Sequence, residues 1–203
     1  MQGGDEMRPP AALKLTYDDF LCFPDDGRRH ELIDGEHFVT PSPAERHQRV
    51  SVKLVRALDD YLETSGGGHV YHAPFDVVLS NHDVVEPDLL VVLNNQLEVL
   101  TPQHVRGAPA IVVEILSPGT RRRDETLKRN LYARAGVREY WMVDPDARTI
   151  TVCRQADLAG FDGTSGLIAA SGDTLTTELL PGFSLALEPL FRDPSLPPKT
   201  PGS

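Results

Sequence analysis

Two carboxylates stand in apolar company where the chain reads as buried strand: Asp88 after Pro87 in VVEPDLLVVL, and Glu114 between Val113 and Ile115 in AIVVEIL. Taking an ionised carboxylate out of water is unfavourable unless a metal, a cation or hydrogen bonds compensate it. On adjacent strands, two such acids point to one shared cation. Oxygen ligation with few protein ligands suits Mg²⁺ or Mn²⁺, which keep some water and take the rest of their shell from a substrate phosphate. Such an ion polarises a phosphodiester, lowers the pKa of a bound water and steadies the leaving oxygen. A nearby lysine would stabilise charge on the phosphate or orient the attacking water. Lys128 is the best candidate, because the turn from Ser117 to Thr120 folds the following helix back against the strand of Glu114. Asp124 (i−4) and Tyr132 (i+4) share its helical face.

The elements that must position these groups follow from local patterns. Thr16 caps a short helix with an acidic first turn, and HELIDGEHFVT reads as a hairpin turning at Asp34-Gly35. Ser42-x-x-Glu45 has the form of a capping box. Val50, Leu54, Leu58, Tyr61 and Leu62 then recur at helical spacing up to the Gly66-Gly67-Gly68 stop, which makes this the longest helix expected. Two β runs follow, HVYHAPFDVVLS and VVEPDLLVVL, separated by a polar turn at Asn81 to Asp83. After a polar stretch, Pro109 to Leu116 is a short buried strand. A helix over 122–135 places Leu127, Leu131 and Ala135 on one face and stops at Gly136. Arg138 to Asp144 and Thr149 to Cys153 form a hairpin, and short edge strands fill the region through Leu175 and Leu187.

At 203 residues, with 40% hydrophobic and 25% charged residues, the chain suits one packed α/β (α+β) domain over 14–191. A flexible leader is expected over 1–13 and a disordered tail over 192–203. Cys22 and Cys153 show no metal or disulfide spacing, and no stretch approaches the roughly 20 apolar residues of a membrane span. A cytoplasmic protein with no membrane partner is the easiest fit. The formal charge of −10 opposes broad nonspecific affinity for nucleic acid. Any such surface must be local, and the densest basic cluster is Arg121 to Arg123, followed by Lys128, Arg129 and Arg134.

The stretches HELIDGE, PSPAERHQ, EPDLLVV, VVEILSPGTRRRDETLKRNLYARAGVREYWMVDP and LPGFSLALEPLF together resemble the Uma-two family, classed with restriction endonucleases in the PD-(D/E)XK nuclease superfamily. The resemblance spans roughly Leu15 to Phe191 and is most specific from Glu114 to Pro145. It implies a restriction-endonuclease-like mixed β-sheet flanked by helices, with Pro87-Asp88 and Glu114 as the acidic signature and metal ligands. The usual lysine would stand at position 116, which here is leucine; in this family it has moved to the next helix, matching Lys128. Glu31, His47 and Gln48 match positions that line the same cleft.

Each of these residues also has a plainer role. Asp88 could be a strand-end residue capped by amides, Glu114 the partner of Lys128 or an arginine, and Lys128 a solvated lysine beside Asp124. Glu31 could sit on a hairpin surface, Gln48 on a polar helix face, His47 on the surface, and Arg121 to Arg123 in a solvated loop. Tyr140 and Trp141 read as core, and Asp144 as a strand end. The leading expectation is a Mg²⁺-dependent endonuclease cutting DNA, acting as a homodimer because two strands must be cut. The alternative is a catalytically idle nuclease fold serving as a binding or assembly module. RNA or a branched structure as substrate is not separable from DNA by these residues.

Overall fold

A computed structural model describes residues 13–155 and 160–193. The expected leader and tail lie outside them, except for Leu13, Arg192 and Asp193. Helix α1 (Tyr17–Phe20) is capped by Thr16, whose hydroxyl and backbone exchange bonds with Asp19. Strands β1 (Arg29–Ile33) and β2 (Glu36–Thr40) form the expected hairpin. Its turn needs two positive φ angles, supplied by Asp34 at 53° and Gly35 at 75°.

Helix α2 (Glu45–Ser65) buries Val50, Leu54, Leu58 and Leu62 and ends at a left-handed Gly66. The Ser42 capping box does not form. Ala44 takes the cap position without a side-chain bond, because Glu45 is drawn forward one turn to Arg49 rather than back towards Ser42.

The two long β runs are each cut in two. β3 (Gly68–His72), β4 (Val77–Ser80), β5 (Asp83–Val85) and β6 (Leu89–Leu93) leave Pro74 and Pro87 in the gaps, as expected of residues with no N–H for a ladder. A 3₁₀ turn over Asn94–Val99 leads to β7 (Val105–Arg106), then β8 (Ile111–Ile115). The helix over 121–135 is α3 (Arg121–Arg123), a π turn (Asp124–Lys128) and α4 (Arg129–Ala135). β9 (Glu139–Asp144), β10 (Thr149–Arg154) and β11 (Gly163–Ile168) continue the chain, and β12 (Thr174–Leu175), β13 (Leu185–Ala186) and α5 (Leu187–Phe191) close it. The expected edge strands are present as β11 to β13, although Phe183 is buried outside any strand.

Halves of each cut run join different sheets. The order β2-β1-β5-β4-β7 makes one, and β11-β10-β9-β8-β6-β3 the other. β8 is fully buried and runs parallel to β9 and antiparallel to β6. One face of this larger sheet packs Val91, Val113 and Trp141 against α2. The other packs Leu90, Val112 and Tyr140 against Leu131 and Tyr132 of α4. Tyr140 and Trp141 are core, as expected. Among the described residues no helix is long and apolar enough to cross a membrane.

The face predicted for the helix over 122–135 is corrected. Leu127 is 42% exposed, and the inward positions are Asp124, Lys128, Leu131 and Tyr132. The π turn inserts at these residues and rotates them, so that Lys128 reaches buried carboxylates and Leu127 swings out. Leu127→Ala should therefore change stability by less than about 0.5 kcal/mol, whereas Leu131→Ala should lower it by about 2–5 kcal/mol. Urea unfolding of both variants checks this; equal losses would place Leu127 inside after all.

Candidate active site

Register brings the two acids together. Leu89 pairs with Val113 across β6 and β8, so the next positions outward, Asp88 and Glu114, stand opposite each other. Both line a cleft of about 230 Å³ walled by the loops 40–44 and 117–120. Asp88 is the Pro-Asp end of β6, where Pro87 frees the chain from the ladder, and Glu114 is in β8 proper.

Asp88 is held from three sides. Its Oδ1 accepts from Arg29 Nη1 at 2.8 Å, and its Oδ2 from His47 Nε2 at 3.0 Å and from the Ile115 amide at 2.8 Å. Burial alone would raise its pKa, but these donors outweigh burial and hold the carboxyl below its ordinary value.

Glu114 Oε1 accepts from Lys128 Nζ and from Tyr132 Oη, both at 2.8 Å. Burial, with the charges of Asp124 and Asp88 added, pushes Glu114 up to about 8. Lys128 opposes this only in part, because its ammonium is shared with Glu31 Oε1 at 2.7 Å and lies 4.0 Å from Asp124 Oδ1. Burial alone would lower the Lys128 pKa, yet Glu114, Glu31 and Asp124 keep the ammonium charged. Glu31 stays ionised despite burial, facing Lys128 and, at 3.3 Å, Arg123, while accepting from the Glu86 amide at 3.0 Å.

The site is over-acidic. Five buried carboxylates, Glu31, Glu86, Asp88, Glu114 and Asp124, face three fixed cations, Arg29, Arg123 and Lys128. With all five ionised, two negative charges would be in surplus before His47 is counted, and protons on Glu114 and Glu86 relieve that surplus near neutral pH. Burial pushes Glu86 up to about 7, and its Oε1 is buried without a hydrogen bond, as are Asp124 Oδ1 and His47 Nδ1. A divalent cation could take the place of those protons, and hard carboxylate oxygens suit Mg²⁺ or Mn²⁺. Among the described residues no three His, Cys, Asp or Glu side chains converge on one metal position. The protein would thus supply Asp88 and Glu114, with water and phosphate completing the shell.

Sequence reasoning assembled most of this. Asp88, Glu114, Lys128, Glu31, Asp124 and Tyr132 are in one network, and the ion pair of Glu114 with Lys128 is present too. His47, matched to a cleft position with a surface histidine as its plainer role, is 9% exposed and tied to Asp88, because the chain entering β6 meets the first turn of α2. Glu31 is buried rather than on the hairpin surface. Gln48 is exposed and outside the cleft, lining the adjoining groove. The arginine run divides: Arg123 turns in, Arg121 pairs with Asp144 at 2.6 Å, and Arg122 is exposed. Arg29 and Glu86 went unnoticed. Arg29 stands two residues before Glu31 in β1, where strand parity puts i and i+2 on one face, whereas Glu86 and Asp88 flank Pro87 in the gap between β5 and β6.

These shifts give a pH signature. With Glu86 at about 7 and Glu114 at about 8 against an ordinary 4.5, the folded chain holds more protons than the unfolded one between those values. Asp88 and Glu31 are held low and stay ionised there. In EDTA, stability should therefore fall as pH rises from about 5 to about 8, and Mg²⁺ should flatten the fall. Urea midpoints across that range test this; a flat or rising profile in EDTA contradicts it.

Comparison with known proteins places the chain. A family model described as "Uma2: Putative restriction endonuclease" matches residues 17–188. Among solved structures, a "putative nuclease belonging to DUF820" from Anabaena variabilis superposes with a TM-score of 0.73 at 20% identity, covering 87% of this chain and 97% of that one. The type IIG restriction endonuclease BpuSI gives a TM-score of 0.34 at 14% identity over 60% of this chain and 13% of its own. No curated protein matches. The first structural likeness establishes the mixed α+β nuclease fold.

Proposed function

The chain belongs to the Uma2 family, and we propose from that premise that it is a Mg²⁺- or Mn²⁺-dependent endonuclease of PD-(D/E)XK type hydrolysing DNA phosphodiesters. The observation that supports this most is the placing of Asp88 and Glu114 side by side just beyond the Leu89–Val113 pair of the β6–β8 ladder, inside one cleft. A bound ion would polarise the phosphate and activate water. The chain's own groups supply the rest. Arg29 and His47 fix the orientation of Asp88, and Tyr132 fixes that of Glu114. Lys128, held as an ammonium, serves as the charge stabiliser for the phosphate rather than as a base.

Homodimerisation, which a duplex substrate would call for, and a cytoplasmic setting complete the proposal, the latter supported by two unpaired cysteines, Cys22 and Cys153. Gel filtration giving a monomer removes the dimer. The nuclease assignment is tested by incubating supercoiled plasmid and single-stranded circular DNA with purified protein. Cleavage is expected with Mg²⁺ or Mn²⁺ and none with EDTA; no cleavage of either substrate with either metal counts against it.

One observation favours the idle-module reading: Lys128 and Arg29 already neutralise the two acids. Titration calorimetry separates the two. Mn²⁺ uptake that is lost in Glu114→Gln supports the nuclease, and no uptake by the unmutated chain supports the module.

A further inference from the structure

A groove of about 550 Å³ opens from the cleft along α2. The two depressions share Arg29, Pro43, His47, Glu86 and Asp88, so they adjoin at these side chains. Beside its core face, α2 presents a second stripe to this groove: Gln48, Ser51, Val52, Val55 and Arg56, spaced i, i+3, i+4, i+7 and i+8. Val52 is 66% exposed, an apolar β-branched residue on a solvated helix face where propensity disfavours it. Ala73 and Pro74, after β3, also line the groove, and His72, Gln48 and Arg56 add polar groups to it. Arg56 makes no ion pair among the described residues, whereas Arg29, Arg123 and Lys128 are all engaged by carboxylates.

Resting on the nuclease reading, we propose that this groove receives the base and sugar next to the scissile phosphate, and that the substrate is single-stranded DNA. A duplex keeps its bases stacked inside and offers phosphates, so its affinity comes from many Lys and Arg contacts. The cleft's cations are committed to its own acids. Farther along α2, exposed Asp59, Asp60 and Glu63 would repel a second run of phosphates. A single strand can splay one base against Val52, Val55 and Pro74, where apolar contact and one free guanidinium do the holding with little need of net positive charge. The groove's join with the cleft at Asp88 sets that base beside the phosphate to be cut.

Fluorescence anisotropy in EDTA, with a short labelled oligothymidylate alone and annealed to its complement, tests the proposal. The single strand should bind at least about tenfold tighter than the duplex, with a salt slope of about 2 or less rather than the steep slope of duplex binders. Val52→Glu should weaken single-strand binding by about tenfold or more, while its calorimetric Mn²⁺ uptake and circular dichroism match the unmutated chain. Equal or tighter duplex binding, or a neutral Val52→Glu, overturns the groove assignment. If the duplex is then cut in an Asp88-dependent manner, the nuclease reading survives alone. Binding to neither form, with no Mn²⁺ uptake, removes both.

Discussion

Asp88→Ala should abolish divalent-dependent cleavage, lowering the rate by about 10³-fold or more, the scale seen when a group that stabilises the transition state directly is removed. The expectation rests on position. Asp88 stands just before β6, opposite Glu114 beyond the last ladder pair, and is held ionised by Arg29, His47 and the Ile115 amide. Three donors on one carboxylate are more than a strand end needs, and they fix its orientation as a ligand requires. Because the same change leaves the Arg29 guanidinium with only Glu86, at 3.5 Å, Asp88→Asn is the companion: it keeps shape and an accepting oxygen but removes the charge. Both variants should lose Mn²⁺ uptake with cleavage. Cleavage at the unmutated rate in either, measured on the same plasmid and single-stranded substrates, would remove Asp88 from the chemistry.

What could be read from the chain beforehand was what local physics decides. Asp34-Gly35 forced a hairpin, the spacing of Val50, Leu54, Leu58 and Leu62 gave α2 its core face, and the apolar run around Glu114 marked a strand buried on both sides. The acids stood out because a charge in such a run needs a reason. What escaped depended on distant partners. Pro74 and Pro87 announce breaks, but no local pattern tells that β4 and β5 join β1 while β3 and β6 join β8. That division makes Asp88 a junction between sheets and buries His47 against it. Leu127 followed helical spacing and still turned outward, since the pairing of Lys128 with Glu31 and Glu114 decides the rotation of the π turn. Arg29 could have been found by applying strand parity to Glu31 in β1.

Lys128 presents the opposite problem to Asp88, because it is structural and functional at once. Lys128→Met removes an ammonium only 2% exposed and leaves Glu31 and Glu114, 1% and 4% exposed, without their common partner. Breaking a buried pair in this way costs about 3–5 kcal/mol, a large share of the roughly 5–15 kcal/mol that holds a domain folded. Lost cleavage in this variant alone therefore says little about chemistry. Glu31→Gln supplies the control, since it removes one surplus charge while the bond from Lys128 to Glu114 stays possible. The double variant Lys128→Met with Glu31→Gln should recover at least about half of the lost stability, because the two residues touch and their effects are coupled. If Lys128 steadies the phosphate, cleavage in the double variant should stay about 10²- to 10³-fold below that of Glu31→Gln. Recovery of cleavage together with stability would show that the ammonium only neutralises the buried acids, and would move the charge-stabilising role to Arg29 or Arg123 at the cleft wall.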